Sequence, residues 1–172
     1  MKLKKTKFKD LIVVEGKSHK DKRGYLREVL LERIINKKFK FFITSKSKKN
    51  VLRGLHFQKN KPQGKYISVI KGKIFDVTVD IRKKSKTFGK SFAIILSDKN
   101  CKSLYVPPGF AHGFLSLEEE NIVTYSCTEY RSIGNEYALN YNDPKLKIRW
   151  PKKNVIITKK DKRAKKFGEL FK

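Results

Sequence analysis

Short apolar runs separated by turn signals follow one another along most of the 172-residue chain. Leu11–Val14 and Lys40–Thr44 are compact runs rich in β-branched and aromatic residues. Tyr66–Ile70 meets a Lys71-Gly72 turn, and Lys73–Arg82 follows as its hairpin partner. In that second arm Phe75, Val77, Val79 and Ile81 fall on one face, and Asp76, Thr78 and Asp80 on the other. Strict period-two alternation predicts a strand with two chemically different faces. Ser91–Leu96, Ser103–Val106, Phe114–Leu117 and Ile122–Thr128 predict further strands, and Pro107-Pro108-Gly109 breaks the chain before Phe114. Leu30–Lys38 and Lys159–Lys172 each predict a short helix, the second with Asp161 near its start. Glu118-Glu119-Glu120-Asn121, the only acidic run, predicts an exposed hairpin turn. Many short strands with little helix indicate an all-β sandwich or barrel. No internal repeat or composition break divides the chain, so residues 1–172 are expected to form one domain.

Composition narrows this picture. The length suffices to bury a core without staples, and 38% hydrophobic with 12% aromatic residues exceeds what a disordered polycation carries. No stretch approaches the length of a membrane span. The basic N-terminus has no apolar run behind it, so it does not read as a signal peptide. Two cysteines, Cys101 and Cys127, form neither a disulfide scaffold nor a zinc knuckle, and the expectation is a reducing, cytoplasmic setting. The net charge of +27 first suggests nucleic acid. Yet 35 of the 43 basic residues are Lys and only 8 are Arg, spread along the whole chain with no dense arm. Base readout and phosphate clamps favour Arg, so most of this charge is read as a solvated face and no specific nucleic-acid partner is expected. A positive field would also steer an anionic diphosphate ligand.

Three histidines are available for chemistry: His19, His56 and His112. His56 and His112 each sit among apolar and aromatic residues beside glycines. The Pro-x-Gly-x-x-His spacing that ends at His112 resembles the second signature of the cupin barrels. The first signature normally supplies a His-x-His pair and a Glu; here it reads His56-Phe57-Gln58. With one ligand missing, three converging ligands are not supplied, and a metal-free cupin is expected: a jelly-roll, double-stranded β-helix with a few short helices.

Further motifs make the resemblance specific. Arg53-Gly-Leu-His-Phe-Gln58, Gln63-Gly64-Lys65 and Phe75-Asp-Val-Thr-Val-Asp-Ile-Arg82 are similar to the dTDP-4-dehydrorhamnose 3,5-epimerase family. So are Thr87-Phe88-Gly89, Val106-Pro-Pro-Gly-Phe-Ala-His-Gly-Phe114, Asn142-Asp143-Pro144 and Ile148-Arg149-Trp150-Pro151. The similarity runs from Phe8 to Asp161, in order. It implies a cytoplasmic homodimeric enzyme that inverts the carbons flanking the ketone of a nucleotide-linked 4-keto-6-deoxy sugar, without metal or redox cofactor. The 4-keto group acidifies the C3 and C5 protons. The chemistry needs a base, an acid on the opposite face and a cation at the enolate oxygen. Matched to the motifs, His56 is the base, Asp161 the carboxylate that holds its imidazole, Tyr125 the general acid and Lys65 the cation. Substrate-binding positions carried over are Arg23, Glu28, Arg53, Lys65, His112, Tyr130, Glu136 and Lys160, some of them reaching across a dimer.

Two segments depart from the family pattern. Its Gln-x-Asn-x-Ser segment reads Phe41-Phe42-Ile43-Thr44-Ser45 here, so both amides are replaced by apolar side chains. A paired tyrosine that meets the base of the nucleotide is replaced by Arg131, in Glu129-Tyr130-Arg131. The catalytic set is intact while the recognition set is edited, and such edits can change the preferred substrate. A single-centre epimerase or ketoisomerase on another nucleotide sugar, a silent sugar-binding cupin and a basic nucleic-acid-binding β module remain as alternatives.

Overall fold

The computed structural model describes residues 1–172, arranged as thirteen strands and three single-turn α-helices. The strands are β1 (Lys2–Lys5), β2 (Ile12–Glu15), β3 (Ser18–Asp21), β4 (Gly24–Arg27), β5 (Phe41–Lys48), β6 (Leu52–Gln58) and β7 (Lys65–Lys71). They continue as β8 (Lys73–Asp80), β9 (Ser91–Ser97), β10 (Lys102–Val106), β11 (Phe110–Ser116), β12 (Glu120–Cys127) and β13 (Glu136–Ala138). The helices are α1 (Glu32–Ile35), α2 (Lys159–Lys162) and α3 (Phe167–Leu170).

One sheet runs in the order β1-β2-β10-β7-β12-β5 and the other β13-β6-β11-β8-β9, while β3 and β4 form a separate hairpin. From β5 to β12 the chain crosses repeatedly between the two sheets, which is the winding of a double-stranded β-helix. The inner faces meet over Phe8, Ile67, Ile74, Leu96, Leu104 and Phe114, all buried. Both outer faces are also covered. The C-terminal segment lays Trp150, Phe167 and Phe171 over Leu55, Val77 and Val79. On the other side Leu30, Ile35 and Phe39 cover Tyr66 and Tyr105. Each fully buried side chain of this size contributes roughly 1.5–3 kcal/mol, and the two flanking layers add to the interior through side chains that are themselves partly buried.

The two-faced β8 is present with both faces buried, but it is not the hairpin partner of β7: the Lys71-Gly72 turn carries the chain from one sheet to the other, where β8 pairs with β11 and β9. Phe75, Val77, Val79 and Ile81 pack under the C-terminal layer. Asp76, Thr78 and Asp80, each 0% exposed, belong to the opposite, inner face. Only Glu118 and Glu119 of the acidic run lie in the β11–β12 turn; Glu120 and the buried Asn121 open β12, and the three glutamates pair with Lys73, Lys49, Lys46 and Lys71.

Several elements differ from their sequence expectations. The helix expected over Leu30–Lys38 is one turn, because Asn36 adopts the left-handed conformation (φ 52°) that ends a helix. The expected C-terminal helix is two turns. Between them Lys165 forms a parallel bridge with Leu139, and its carbonyl accepts the Asn140 N–H at 2.9 Å, so tertiary pairing overrides helix propensity. β5 extends to Lys48 because all eight of its residues pair with β12. β11 starts at Phe110, ahead of the expected Phe114, because it pairs with β8 along its length. His112 therefore lies in a strand.

Candidate functional site

A cavity of about 470 Å³ opens between the inner faces of the two sheets. His56 enters it from β6. Asp161 reaches the same place from α2, because the preceding segment is stitched beside β6: Val51 bridges Ile156, and the Leu52 N–H donates to the Ile156 carbonyl at 2.8 Å. Thr158 caps α2, its hydroxyl accepting the Asp161 N–H at 3.2 Å. His56 Nε2 then lies 2.7 Å from Asp161 Oδ1. The His56 side chain keeps 44% of its surface exposed, whereas Asp161 keeps 5%. Burial works to raise the Asp161 carboxyl, but its bond to His56, the imidazole's charge, the Gly54 amide and Thr158 hold it below the usual carboxylate range.

A second pair stands beside the first. His112 on β11 is the register partner of His56. Its Nε2 lies 2.8 Å from Asp76 Oδ2, and the two side chains are 4% and 0% exposed. The strands come very close here: a Cβ on Gly54 would sit 2.5 Å from Gly113 Cα. Gly54 also has φ +119°, a conformation open to glycine. The glycines flanking both histidines are thus a steric condition for pairing the strands.

The opposite wall comes from the other sheet. Tyr125 on β12 packs edge-on to the His112 ring, with centroids 6.2 Å apart, and its hydroxyl lies 3.5 Å from Ser45 Oγ. Burial pushes its phenol well above the ordinary tyrosine range, so it stays protonated at neutral pH. Lys65 begins β7 opposite Cys127. Burial lowers its ammonium from the usual lysine value, against the pull of Cys127, Glu136 and Asp76. Burial likewise raises the Cys127 thiol, with Lys65 opposing. Arg53 is held at the rim: its Nε donates to Ser47 Oγ at 2.9 Å and its Nη2 to the Lys46 carbonyl at 3.1 Å.

The structure brings His56, Asp161, Tyr125, Lys65, Arg53, His112, Glu136 and Lys160 to this one cavity. Tyr130 stands just outside the lining, 61% exposed, with its ring 6.4 Å from that of Phe41. Arg23 and Glu28 are not brought in. Arg23 lies in the exposed β3–β4 hairpin, 90% exposed and bound only to Asp21, and Glu28 follows that hairpin on the surface. The edited positions do reach the site. Alternation along β5 points Phe41, Ile43 and Ser45 into the cavity wall, and Arg131 lines its mouth. Gln63, Phe114 and Thr158 also line it without having been singled out as site residues. Asp76 was missed as a partner of His112, although the polar face of β8 was its signal.

No cluster of three or more His, Cys, Asp or Glu side chains is arranged to hold a metal ion. No helix is long and apolar enough to cross a membrane. The geometry offers a half-exposed imidazole held by a buried carboxylate, a protonated phenol on the facing wall and a desolvated ammonium between strands. Together these can take a proton from one face of a carbon acid, return one to the other and steady the charge between.

Comparison with known proteins points the same way. A family model described as dTDP-4-dehydrorhamnose 3,5-epimerase matches residues 5–169. The dTDP-4-dehydrorhamnose 3,5-epimerase of Methanothermobacter thermautotrophicus is 42% identical over 173 residues, spanning 96% of this chain and 94% of that protein. A dTDP-6-deoxy-D-glucose-3,5-epimerase from Legionella pneumophila, solved in complex with dTDP-4-keto-L-rhamnose, superposes with a TM-score of 0.93 at 38% identity, covering 97% of this chain and 93% of that one. The dTDP-4-dehydrorhamnose 3,5-epimerase of Bacillus anthracis, solved with TDP and PPi bound, gives a TM-score of 0.92 at 38% identity, covering 96% and 99%.

Proposed function

Because the chain belongs to the dTDP-4-dehydrorhamnose 3,5-epimerase family and is an epimerase of that kind, we propose that it inverts C3 and C5 of dTDP-4-dehydro-6-deoxyglucose, a step of dTDP-rhamnose synthesis. His56 takes the proton from a carbon beside the ketone. Asp161 fixes the imidazole tautomer and stabilises the imidazolium that forms. The electron pair moves onto the ketone oxygen, where Lys65 meets the developing negative charge. A desolvated ammonium is worth more there than in water. Tyr125, on the facing wall, returns a proton to the opposite face, and the ketone re-forms. Arg53 and Lys160 bind the diphosphate and sugar, a guanidinium fork suiting a diphosphate, while the buried His112 backs the cavity wall against Tyr125. The observation that carries this reading is the His56–Asp161 pair, 2.7 Å apart, with the imidazole open to a cavity that Tyr125 faces.

Residues 1–172 work as one domain in this reading, and the active form is a homodimer. Arg23 and Glu28 stand away from their own cavity beside an exposed Tyr25 and Leu26 (59% and 68%), which supports their serving a second copy's site. Both cysteines are buried and free, in keeping with a reducing cytoplasm. One set of observations favours a second reading, the same mechanism on another nucleotide sugar: Phe41, Ile43 and Arg131, the edited positions, all line the cavity.

Proton NMR of the protein with dTDP-4-keto-6-deoxyglucose in D₂O tests this. Deuterium is expected at both C3 and C5, and its incorporation is lost in His56→Ala. Incorporation at one carbon makes the enzyme a single-centre epimerase. With no incorporation from the dTDP sugar, activity on a GDP-, CDP- or UDP-linked 4-keto sugar selects the second reading, and none on any of them overturns the enzyme assignment.

A further inference from the structure

A linked set of side chains at the cavity mouth lies outside the mechanism above. Gln58, two residues beyond His56 on β6, is 8% exposed. Its Oε1 accepts the Ser132 N–H at 2.9 Å, and its Nε2 donates to the carbonyls of Lys61 at 3.0 Å and Tyr130 at 3.3 Å. The backbone is therefore clamped on both sides of Arg131. A 3-10 turn over Ile133–Asn135 leads from there into β13. Arg131 grips Glu136 with two parallel bonds, Nε to Oε1 at 2.6 Å and Nη2 to Oε2 at 3.0 Å. A bidentate fork of this kind fixes orientation as well as charge.

Glu136 is close to the base. On β13 and β6, Glu136 pairs with Gln58 and Ala138 with His56. Tyr137 and Phe57 stack on the outer face, centroids 5.6 Å apart. Glu136 and His56 therefore share the inner face as diagonal neighbours, a relation that places side chains about 7–8 Å apart. The Arg131 fork above all holds the Glu136 carboxyl below its usual range, against burial, with Lys160 and His56 adding to the effect. His56 thus has two carboxylates near it, one bonded directly and one held by an arginine.

We propose that Arg131 is a positioning residue whose fork, clamped by Gln58, neutralises Glu136, so that the base His56 meets Asp161 without a second free carboxylate from β13 beside it. The proposal rests on His56 being the base. Other groups face His56: Lys160 from α2, Arg53 on β6 itself, His112 with its Asp76 from β11 and β8, and Lys65 and Tyr125 across the cavity. All of them are common to the variants compared, so differences between variants report the Arg131–Glu136 pair.

The test compares Arg131→Gln, Glu136→Gln and the double variant. Two readouts are used: the acid limb of the kcat/KM profile, and the pH midpoint of the His56 ring C–H resonance without substrate. Only three histidines need assigning. Arg131→Gln removes a cation and uncovers an anion, so both readouts move to higher pH, by about 0.5 unit for unit charges at this spacing in partly wet surroundings. Glu136→Gln leaves the cation unpaired and moves both to lower pH. The double variant returns close to the parent, and Arg131→Lys, which keeps charge without the fork, falls between parent and Arg131→Gln. Equal shifts in one direction, or none, overturn the proposal. The resonance needs no turnover, so inactivity on the dTDP sugar leaves this test standing. A resonance that shifts while the acid limb stays fixed rejects His56 as the base.

Discussion

His56 and His112 occupy paired positions on β6 and β11, each with Nε2 on a carboxylate oxygen, at 2.7 Å from Asp161 and 2.8 Å from Asp76. The bonds are nearly equal and the surroundings are not. His56 leaves 44% of its side chain open to the cavity; His112 leaves 4%. The carboxylates also arrive differently. Asp76 belongs to β8, the strand hydrogen-bonded to β11, and stands opposite Phe114, one diagonal step from His112, whose own register partner is Thr78. Asp161 is 105 residues from His56 and arrives on a capped helical turn. A base must both hold a proton and meet its substrate, and only the open pair can do so. The closed pair is suited to fixing one ring orientation against Tyr125, whose edge it meets.

If exposure sorts the two pairs into chemistry and scaffold, substitutions should separate turnover from stability. The largest effect is expected from His56→Ala. A general base contributes about 10²–10⁴ in rate, so kcat should fall about a thousandfold, while the urea midpoint falls modestly because Asp161 loses one of its several partners. Steady-state kinetics and urea unfolding on one preparation measure both. A variant that keeps its turnover removes His56 from the chemistry.

Asp76→Ala should show the reverse order of effects. Removing the acceptor of a buried hydrogen bond costs about 1–3 kcal/mol, and His112 would be left buried without its partner. At the upper figure the melting temperature of a chain this long drops by roughly 6–12 °C. Calorimetry of the parent and variant decides. If stability is unchanged and turnover collapses, the buried pair belongs to the chemistry as well, and the contrast fails.

The contrast also marks what could be read from the residues alone. β7 and β8 were legible as strands because alternation and a Lys71-Gly72 turn are local signals, but their expected pairing was not: β7 lies between β10 and β12 and β8 between β11 and β9, in different sheets. The inner-face carboxylates of β8 were visible as a polar stripe, but which group each would meet depends on register with β11. β6 was not marked as a strand: Arg53-Gly-Leu-His-Phe-Gln58 carries a glycine at a close strand approach, which breaks the period. The C-terminal helix was over-extended because nothing local announces the bridge of Lys165 to Leu139. Asp161 was placed beside His56 through family resemblance, since no short-range pattern connects residues so far apart. Arg131 stood out as a departure, yet its hold on Glu136 depends on a turn fixed by Gln58 from another strand.

Asp80 extends the comparison along β8, and its effect is the smallest. It shares the inner face with Asp76 and is equally buried, but its partners are an arginine fork and two hydroxyls. Arg82 Nε and Nη2 donate at 2.9 and 2.7 Å, and Ser85 and Thr87 each donate at 2.6 Å. Burial works to raise this carboxyl, and those bonds outweigh it, bringing it to about 2 from 3.8. A carboxyl lowered on folding stabilises the native state above its unfolded value and loses that contribution as pH falls toward its folded value. The window is therefore about pH 4 down to 2, and the amount is about 2 kcal/mol from the linkage between proton affinity and folding. Urea unfolding of the parent and Asp80→Asn should give stability curves that converge as pH drops from 4 to 2 and run parallel from 5 to 7. Curves that stay parallel through the acid window would show that the fork and hydroxyls hold Asp80 in place without favouring its charge. Burial alone would then not distinguish a carboxylate held by a histidine from one held by an arginine.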